Sequence, residues 1–102
     1  MRIYVALVTS ACARECKLDN IGIAYRGTVN TTHTGKTCQS WEVTSPHHHT
    51  HTRLFTEKNF CRNPDYEDFG PWCYTIDENT KYESCNITLC GTFVCKKELE
   101  ME

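Results

Sequence analysis

Residues 60–74 read FCRNPDYEDFGPWCY and bring cysteines, acids and aromatic rings into one short stretch. Two cysteines enclose the acids, and aromatic residues flank the second cysteine. The acids and the nearest aromatics are Asp65, Glu67, Asp68, Trp72 and Tyr74. Acids beside aromatics are typical either of a charged turn that touches a core or of a pocket for a ligand with a positive end. Other features of the sequence distinguish between these two interpretations.

Length and cysteine content bound the class of protein. The chain has 102 residues, and eight of them are cysteines. One domain is the natural expectation at this length, and so short a chain usually needs constraint beyond its apolar core. A high cysteine density is typical of a disulfide scaffold made in an oxidising compartment. We therefore expect a secreted, extracellular protein.

Charge and hydropathy exclude two classes of partner. The formal net charge is −2, with acids and bases interspersed, whereas a nucleic-acid partner requires a basic face. No apolar run approaches the length needed to span a bilayer. We expect neither nucleic-acid binding nor membrane insertion.

The N-terminal stretch, residues 1–13, reads MRIYVALVTSACA. A cationic residue, an apolar run and small terminal residues match a short secretory signal, and a strand or a piece of an upstream module is the alternative. Cleavage after Ala13 would remove Cys12 and leave an odd number of thiols. Retained, Cys12 could pair with Cys95, or both could belong to neighbouring modules. These alternatives stay open.

Two triplets, beginning at Asn30 and Asn86, fit the N-x-[ST] acceptor for N-glycans. Both agree with an extracellular location, and we take both asparagines as candidate glycosylation sites.

The chain from residue 19 to residue 90 is rich in glycine, proline, asparagine, aspartate, serine and threonine, which favours turns over helices. The clearest hairpin runs from WCYTI through a polar turn at 77–80 to KYESCNI. The charged tail, residues 91–102, is expected to form a helical turn or to stay disordered.

Six of the cysteines form an ordered frame, and the last four are spaced twelve, twelve and five residues apart. Short motifs accompany them: YRG at 25–27, CQSW at 38–41, SPH at 45–47, CRNPD at 61–65 and GPWCYT at 70–75. Together these closely resemble a kringle domain over residues 16–90. Spacing alone allows fifteen pairings of six cysteines. The resemblance implies Cys16–Cys90, Cys38–Cys73 and Cys61–Cys85.

The same resemblance implies a small disulfide-rich fold, made mostly of loops and turns with short antiparallel β-hairpins. In such a scaffold the disulfides substitute for a large core. Trp41, Leu54 and Phe60 are then interpreted as packing residues.

Three aromatic residues of the hairpin predict a shallow trough. Trp72 and Tyr74 are two positions apart on a strand, so their side chains point to the same face. A return strand can bring Tyr82 near that face. Such a trough can receive the methylene groups of an extended ligand.

Charged residues are expected at the two ends of this trough. Asp65 and Glu67 come one turn earlier and can reach one end, whereas Lys81 offers a positive charge towards the other. In lysine-binding kringles an acid pair stands four and six residues after the third framework cysteine, and a cation stands before the fifth. The resemblance therefore implies a lysine-binding set at Asp65, Glu67, Trp72, Tyr74, Lys81 and Tyr82.

This sequence departs from the usual kringle pattern in three respects. Glu67 stands where kringles more often have aspartate, and its side chain is longer. Lys81 stands where arginine is frequent, and its ammonium is a point charge without the bidentate geometry of a guanidinium. The loop after the second framework cysteine is shortened, so that only His51 or Arg53 could supply a second cation. Adjacent Lys81 and Tyr82 would face opposite ways on an ideal strand, so a twist or bulge is required.

The sequence gives weaker evidence for a metal site at a histidine cluster and for enzymatic activity. Histidines are good zinc ligands, but the cysteines that would complete a closed zinc site are expected to be oxidised. The cluster consists of His47, His48, His49 and His51. The chain also has no free framework thiol and no Gly-x-Ser-x-Gly elbow. We expect no metal, no cofactor and no enzymatic activity.

These patterns predict a non-catalytic extracellular module, a monomer or one unit of a longer chain. It would bind lysine side chains or C-terminal lysines on other proteins. Two alternatives lack lysine binding. The stretches SPHHHTHTRL and TIDENTKY also resemble the kringle of ROR-type orphan receptor tyrosine kinases, which favours a structural part of a receptor ectodomain. Kringles also accompany serine proteases, as accessory recognition pieces.

Overall fold

The computed structural model describes residues 15–90, and regular secondary structure is sparse in that range. One turn of 3₁₀ helix covers Thr52–Leu54. Strands β1 (Trp72–Tyr74) and β2 (Tyr82–Ser84) form a two-stranded antiparallel sheet. The expectations for residues 1–13 and 91–102, including the fate of Cys12 and Cys95, lie outside the described residues. No helix within 15–90 is long and apolar enough to cross a membrane.

The hairpin has the predicted position but shorter strands than the sequence suggested. Tyr74 pairs with Tyr82 and Trp72 pairs with Ser84. The connecting turn is closed by Asp77, whose carbonyl accepts a hydrogen bond from the Thr80 amide at 3.0 Å. The Asp77 carboxylate accepts a second bond, from the Asn79 amide at 2.8 Å. A side chain that bonds the backbone two residues ahead stabilises this kind of turn.

The three disulfides are those that the resemblance implied. Cys38–Cys73 and Cys61–Cys85 contact each other at the centre, with 3.8 Å between the Sγ atoms of Cys38 and Cys61. Cys16–Cys90 joins the two ends of the described chain. Lys17 supports that closure, because its amide donates to the Thr88 carbonyl at 2.9 Å and its carbonyl accepts from the Cys90 amide at 2.7 Å. The fold prediction is therefore confirmed.

The core is small and forms around the two inner disulfides. Its buried members are Tyr25, Cys38, Trp41, Cys61, Trp72, Cys73, Cys85 and Ile87. Trp41 packs as predicted, and its indole N–H donates to the Phe60 carbonyl at 2.7 Å. Leu54 is partly buried against the same cluster. Few apolar side chains are available, so the disulfides supply much of the constraint.

Arg62 is a buried charge with a structural role. Its Nε lies 2.8 Å from the Glu57 carboxylate, and one terminal nitrogen donates to the Gly27 and Cys61 carbonyls at 2.9 and 2.7 Å. Its backbone exchanges hydrogen bonds with Trp72 at 3.0 and 2.8 Å. A buried arginine requires such partners. These bonds attach the start of the acidic loop, residues 61–73, to the hairpin.

The two candidate glycan acceptors lie at the surface. Asn30 and Asn86 are both exposed. This exposure is compatible with a glycan at either position, and glycosylation stays a prediction.

Candidate functional site

Asn63 fixes the acidic loop from inside the protein. This buried side chain donates to the Ile21 and Glu67 carbonyls at 2.7 and 3.0 Å and accepts from the Glu67 amide at 2.9 Å. Gly70 closes the loop, donating its amide to the same Glu67 carbonyl at 3.1 Å with a φ of 92°. The backbone of Glu67 is thus held on three hydrogen bonds, while its carboxylate remains available.

A shallow depression of about 140 Å³ lies beside the hairpin. Its lining contains every residue of the predicted lysine-binding set and one further aromatic. The seven residues are Asp65, Glu67, Phe69, Trp72, Tyr74, Lys81 and Tyr82. We call this site the depression.

The aromatic residues of the depression pack on one another edge to face. The Trp72 ring centroid is 5.0 Å from that of Tyr74 and 5.6 Å from that of Tyr82. Water reaches them unequally, because Trp72 is only 4% exposed whereas Tyr82 is 52% and Phe69 is 44% exposed. Trp72 therefore supports the depression from below, and Tyr82 and Phe69 provide most of its accessible aromatic surface.

The electrostatic setting of Tyr74 keeps its hydroxyl protonated. Burial raises the pKa of Tyr74, and the nearby Asp65 carboxylate and Tyr82 raise it further. A neutral hydroxyl can donate a hydrogen bond to an anion beside it. Tyr74 therefore adds a polar donor to an otherwise apolar surface near Asp65.

The charged groups of the depression differ in their partners. The Asp65 carboxylate lies 3.5 Å from His51 Nε2. By contrast, among residues 15–90 the side chains of Glu67 and Lys81 make no ion pair and no hydrogen bond. One acid and one cation thus stand unpaired at the same small site.

Lys81 reaches the depression without the twist or bulge that the sequence predicted. Strand β2 begins at Tyr82, so Lys81 precedes it and is not subject to the alternation of strand side chains. Its carbonyl accepts a hydrogen bond from the Thr75 amide at 3.1 Å, next to β1. The proposed twist or bulge is therefore unnecessary.

Neither of the two residues considered as a second cation stands with Lys81. His51 contacts Asp65, at the acidic part of the depression. Arg53 lines a separate, larger cavity of about 610 Å³, which meets the depression only at Asp65. Among residues 15–90, Lys81 is the sole basic residue that lines the depression.

Two of the remaining histidines of the cluster, His47 and His49, are hydrogen-bonded to backbone carbonyls. His47 Nε2 donates to the Asp77 carbonyl at 2.9 Å, and His49 Nε2 donates to the Val43 carbonyl at 2.9 Å. In the described part of the chain, the group with metal-ligand spacing is the four inner cysteines, and these are disulfide-bonded. Oxidised sulfur does not provide the thiolate that zinc binds.

Comparison with known proteins identifies the family. A model of the kringle domain matches residues 16–90, nearly three quarters of the chain. The chain belongs to the kringle domain family. Kringle domains are non-catalytic modules that typically bind proteins.

The kringle is also similar to a human protein, apolipoprotein(a)-like protein 2. The two are 47% identical over 91 residues, which covers 81% of this chain and 65% of that relative. The chain therefore spans less than two thirds of the length of the relative that it matches.

Sequence reasoning missed one side chain of the depression, Phe69, and one contact, that of His51 with Asp65. Phe69 could have been found, because it is an aromatic residue between the acid pair and Trp72 in the same disulfide-bounded loop. The contact of His51 with Asp65 had no comparable signal, since it depends on how two loops lie against each other.

Proposed function

We propose that this kringle is an extracellular binding module for lysine side chains or C-terminal lysines on other proteins. The observation that carries the proposal is the depression itself, where the Glu67 carboxylate and the Lys81 ammonium, both unpaired among residues 15–90, share one aromatic-lined surface. Opposite charges on a common apolar surface complement a zwitterion with a methylene chain. The disulfide scaffold supports the extracellular location.

In this proposal the ligand ammonium binds Asp65 and Glu67, and the ligand carboxylate faces Lys81. The methylene groups lie on the exposed rings of Tyr82 and Phe69. An ammonium over an aromatic ring gains about 0.5–2 kcal/mol, whereas an exposed ion pair contributes about 0–1 kcal/mol. The aromatic surface therefore sets most of the affinity. We expect a Kd between roughly micromolar and millimolar for a free zwitterion.

Weak affinity for one lysine is compatible with useful binding to a protein. Several lysines on one target, or several modules in one longer chain, would raise the apparent affinity through effective concentration. The proposed partners are accordingly proteins that carry accessible lysines.

The test is a titration of the oxidised domain with 6-aminohexanoic acid, followed by tryptophan fluorescence. We expect a saturable change, weakened by added salt, because the ion pairs are exposed. Asp65→Asn and Glu67→Gln should each weaken binding, by up to about fivefold for the loss of one exposed ion pair. Asp68→Asn is the matched control, since Asp68 is exposed and does not line the depression.

Absence of any change up to tens of millimolar, roughly the weakest affinity compatible with the proposal, would contradict lysine binding. The burial of Trp72 and the occupation of Asp65 by His51 would then favour a purely structural kringle, in a receptor ectodomain or beside a protease domain.

A further inference from the structure

His51 contacts the acidic part of the depression from the protein's own chain. Its Nε2 lies 3.5 Å from Asp65 Oδ2, with the His51 side chain 20% exposed and the Asp65 side chain 47% exposed. This is ion-pair distance once the imidazole carries a proton. His51 thus lies beside one carboxylate that the proposed ligand would use.

The His51 ring is also held by the aromatic cluster below the depression. Its centroid is 5.7 Å from Trp72 at 75° and 5.9 Å from Trp41 at 87°, both edge to face. It lies 6.1 Å from Tyr74 and stacks on His49 at 5.8 Å. Packing against four neighbouring rings holds the imidazole beside Asp65, and such packing does not require the imidazole to be charged.

We propose that His51, when protonated, competes with a ligand ammonium for Asp65. This inference rests on the proposed lysine binding and deepens it. Neutral His51 leaves the negative charge of Asp65 free to attract a cation. Protonated His51 neutralises that charge and adds repulsion towards any incoming ammonium. Cationic ligands should therefore be released on mild acidification.

The other basic groups around His51 do not perform this function, which is to compete for Asp65 on gaining a proton. His49 already uses both ring nitrogens, because its Nδ1 accepts the His51 amide at 3.0 Å while Nε2 is bonded to Val43. On the side of the larger cavity, Arg62 is paired with Glu57. Two further basic residues, Arg26 and Arg53, line that cavity and stay charged throughout the relevant range. Among residues 15–90, Asp65 is the one carboxylate at ion-pair distance from His51.

The competition has a predictable size and pH range. Imidazoles as a class gain a proton between about pH 7.5 and pH 5.5, whereas carboxylates as a class stay ionised there, so this is the range in which the competition is tested. If protonated His51 excludes the ligand, affinity should fall by about tenfold between pH 7.5 and pH 5.5, because one proton is taken up per ligand released.

The experiment measures the Kd of 6-aminohexanoic acid by calorimetry from about pH 7.5 to pH 5.5 for three forms of the domain. The wild type should weaken by about tenfold, whereas His51→Gln should change less than about twofold because glutamine does not titrate. His48→Gln should follow the wild type, since His48 is exposed and makes no hydrogen bond in the described part of the chain.

A second readout needs no substitution. The NMR titration midpoint of the His51 imidazole should move to lower pH when the ligand saturates the wild-type domain, because linkage is reciprocal. Equal pH dependence in the wild type and His51→Gln, or an unmoved His51 midpoint, would overturn the competition while leaving lysine binding intact. Lack of binding by both proteins at pH 7.5 would instead overturn the proposed function. Binding by His51→Gln alone at pH 7.5 would show that neutral His51 already blocks the site, and would overturn a competition that depends on protonation.

Discussion

Trp72, Tyr74 and Tyr82 share one aromatic surface, but their burial separates their roles. Trp72 lies under its neighbours, and its indole N–H is buried without a hydrogen-bond partner among the described residues. Leaving a buried donor unpaired costs about 1–3 kcal/mol, so the unpaired indole N–H lowers the free energy of unfolding. Direct contact with a ligand falls mainly to the more exposed rings, Tyr82 and Phe69.

Phe69 provides the sharpest test at the residue scale. Replacing Phe69 by alanine removes an exposed ring from the depression, so the Kd of 6-aminohexanoic acid should rise by roughly three- to tenfold. The unfolding midpoint should change little, because the ring is 44% exposed. Phe55→Ala is the matched control, since Phe55 is exposed and does not line the depression. Equal effects of the two substitutions on affinity would exclude Phe69 from the site.

At the scale of elements, the acidic loop and the hairpin hold the depression between them. Asn63 and Arg62 attach the acidic loop to the neighbouring parts of the protein. The hairpin is attached to the rest of the protein by a residue on its outer face. There Glu83 of β2 accepts hydrogen bonds from the Thr32 and Thr34 hydroxyls at 2.6 and 2.7 Å. These contacts join β2 to the turn at 31–37, so the position of Tyr82 depends on a distant part of the sequence.

Gly70 should tolerate no side chain without a loss of stability. Its φ is 92°, and an added Cβ would lie 2.9 Å from the Asn20 carbonyl oxygen. Gly70→Ala should lower the free energy of unfolding by about 1–3 kcal/mol through backbone strain and this clash. Gly35 has a φ of 88° but open space around it, so Gly35→Ala isolates the backbone cost. In urea denaturation, the free energy of unfolding of Gly35→Ala should lie between those of the wild type and Gly70→Ala. An equal loss of unfolding free energy in the two variants would mean that the structure relaxes to relieve the clash at Gly70.

Glu83 gives a pH dependence of stability whose sign follows from its environment. The hydrogen bonds from Thr32 and Thr34 lower its pKa below the usual 4.5. A carboxylate with a lowered pKa stabilises the folded state above its unfolded pKa, and that stability is lost as pH falls through the folded value. Glu83→Gln should therefore be less stable than the wild type at neutral pH.

The difference between Glu83→Gln and the wild type should shrink on acidification towards about pH 3. Denaturation midpoints across this range measure it. Glu78→Gln is the control, because Glu78 is exposed and has no partner within residues 15–90. A gap that stayed constant with pH would mean that the carboxylate charge of Glu83 is unimportant.

At the scale of the whole molecule, disulfides close loops of very different length around a small core. The inner pairs span 35 and 24 residues and contact each other, whereas Cys16–Cys90 spans 74. The depression is built on the acidic loop and the hairpin, which the inner disulfide Cys61–Cys85 joins. Global stability and the local geometry of the depression should therefore be separable.

Removing the outer disulfide tests that separation. The Cys16→Ser/Cys90→Ser double variant should lose about 4–5 kcal/mol of unfolding free energy in the chain-entropy account. The Kd of 6-aminohexanoic acid should stay within about twofold of the wild type wherever the variant is folded. Guanidinium denaturation and calorimetry measure the two quantities. A parallel loss of affinity would show that the chain ends help to shape the depression.

The cysteine frame and its motifs were sufficient, through the family resemblance, to predict the fold and the disulfide pairing. They also named six of the seven residues that line the depression, because these lie in two short segments joined by a hairpin and bounded by Cys61 and Cys85. Local spacing and strand pairing bring such residues together with little freedom.

Only the tertiary structure decided the burial of Trp72, the exposure of Phe69 and the contact of His51 with Asp65. Each depends on packing between loops that are separate in sequence, and a loop of given length and composition can lie in many ways on the same scaffold. The sequence alone thus determined which chemical groups are available. The packing of the loops determined which of them reach water and which contact each other.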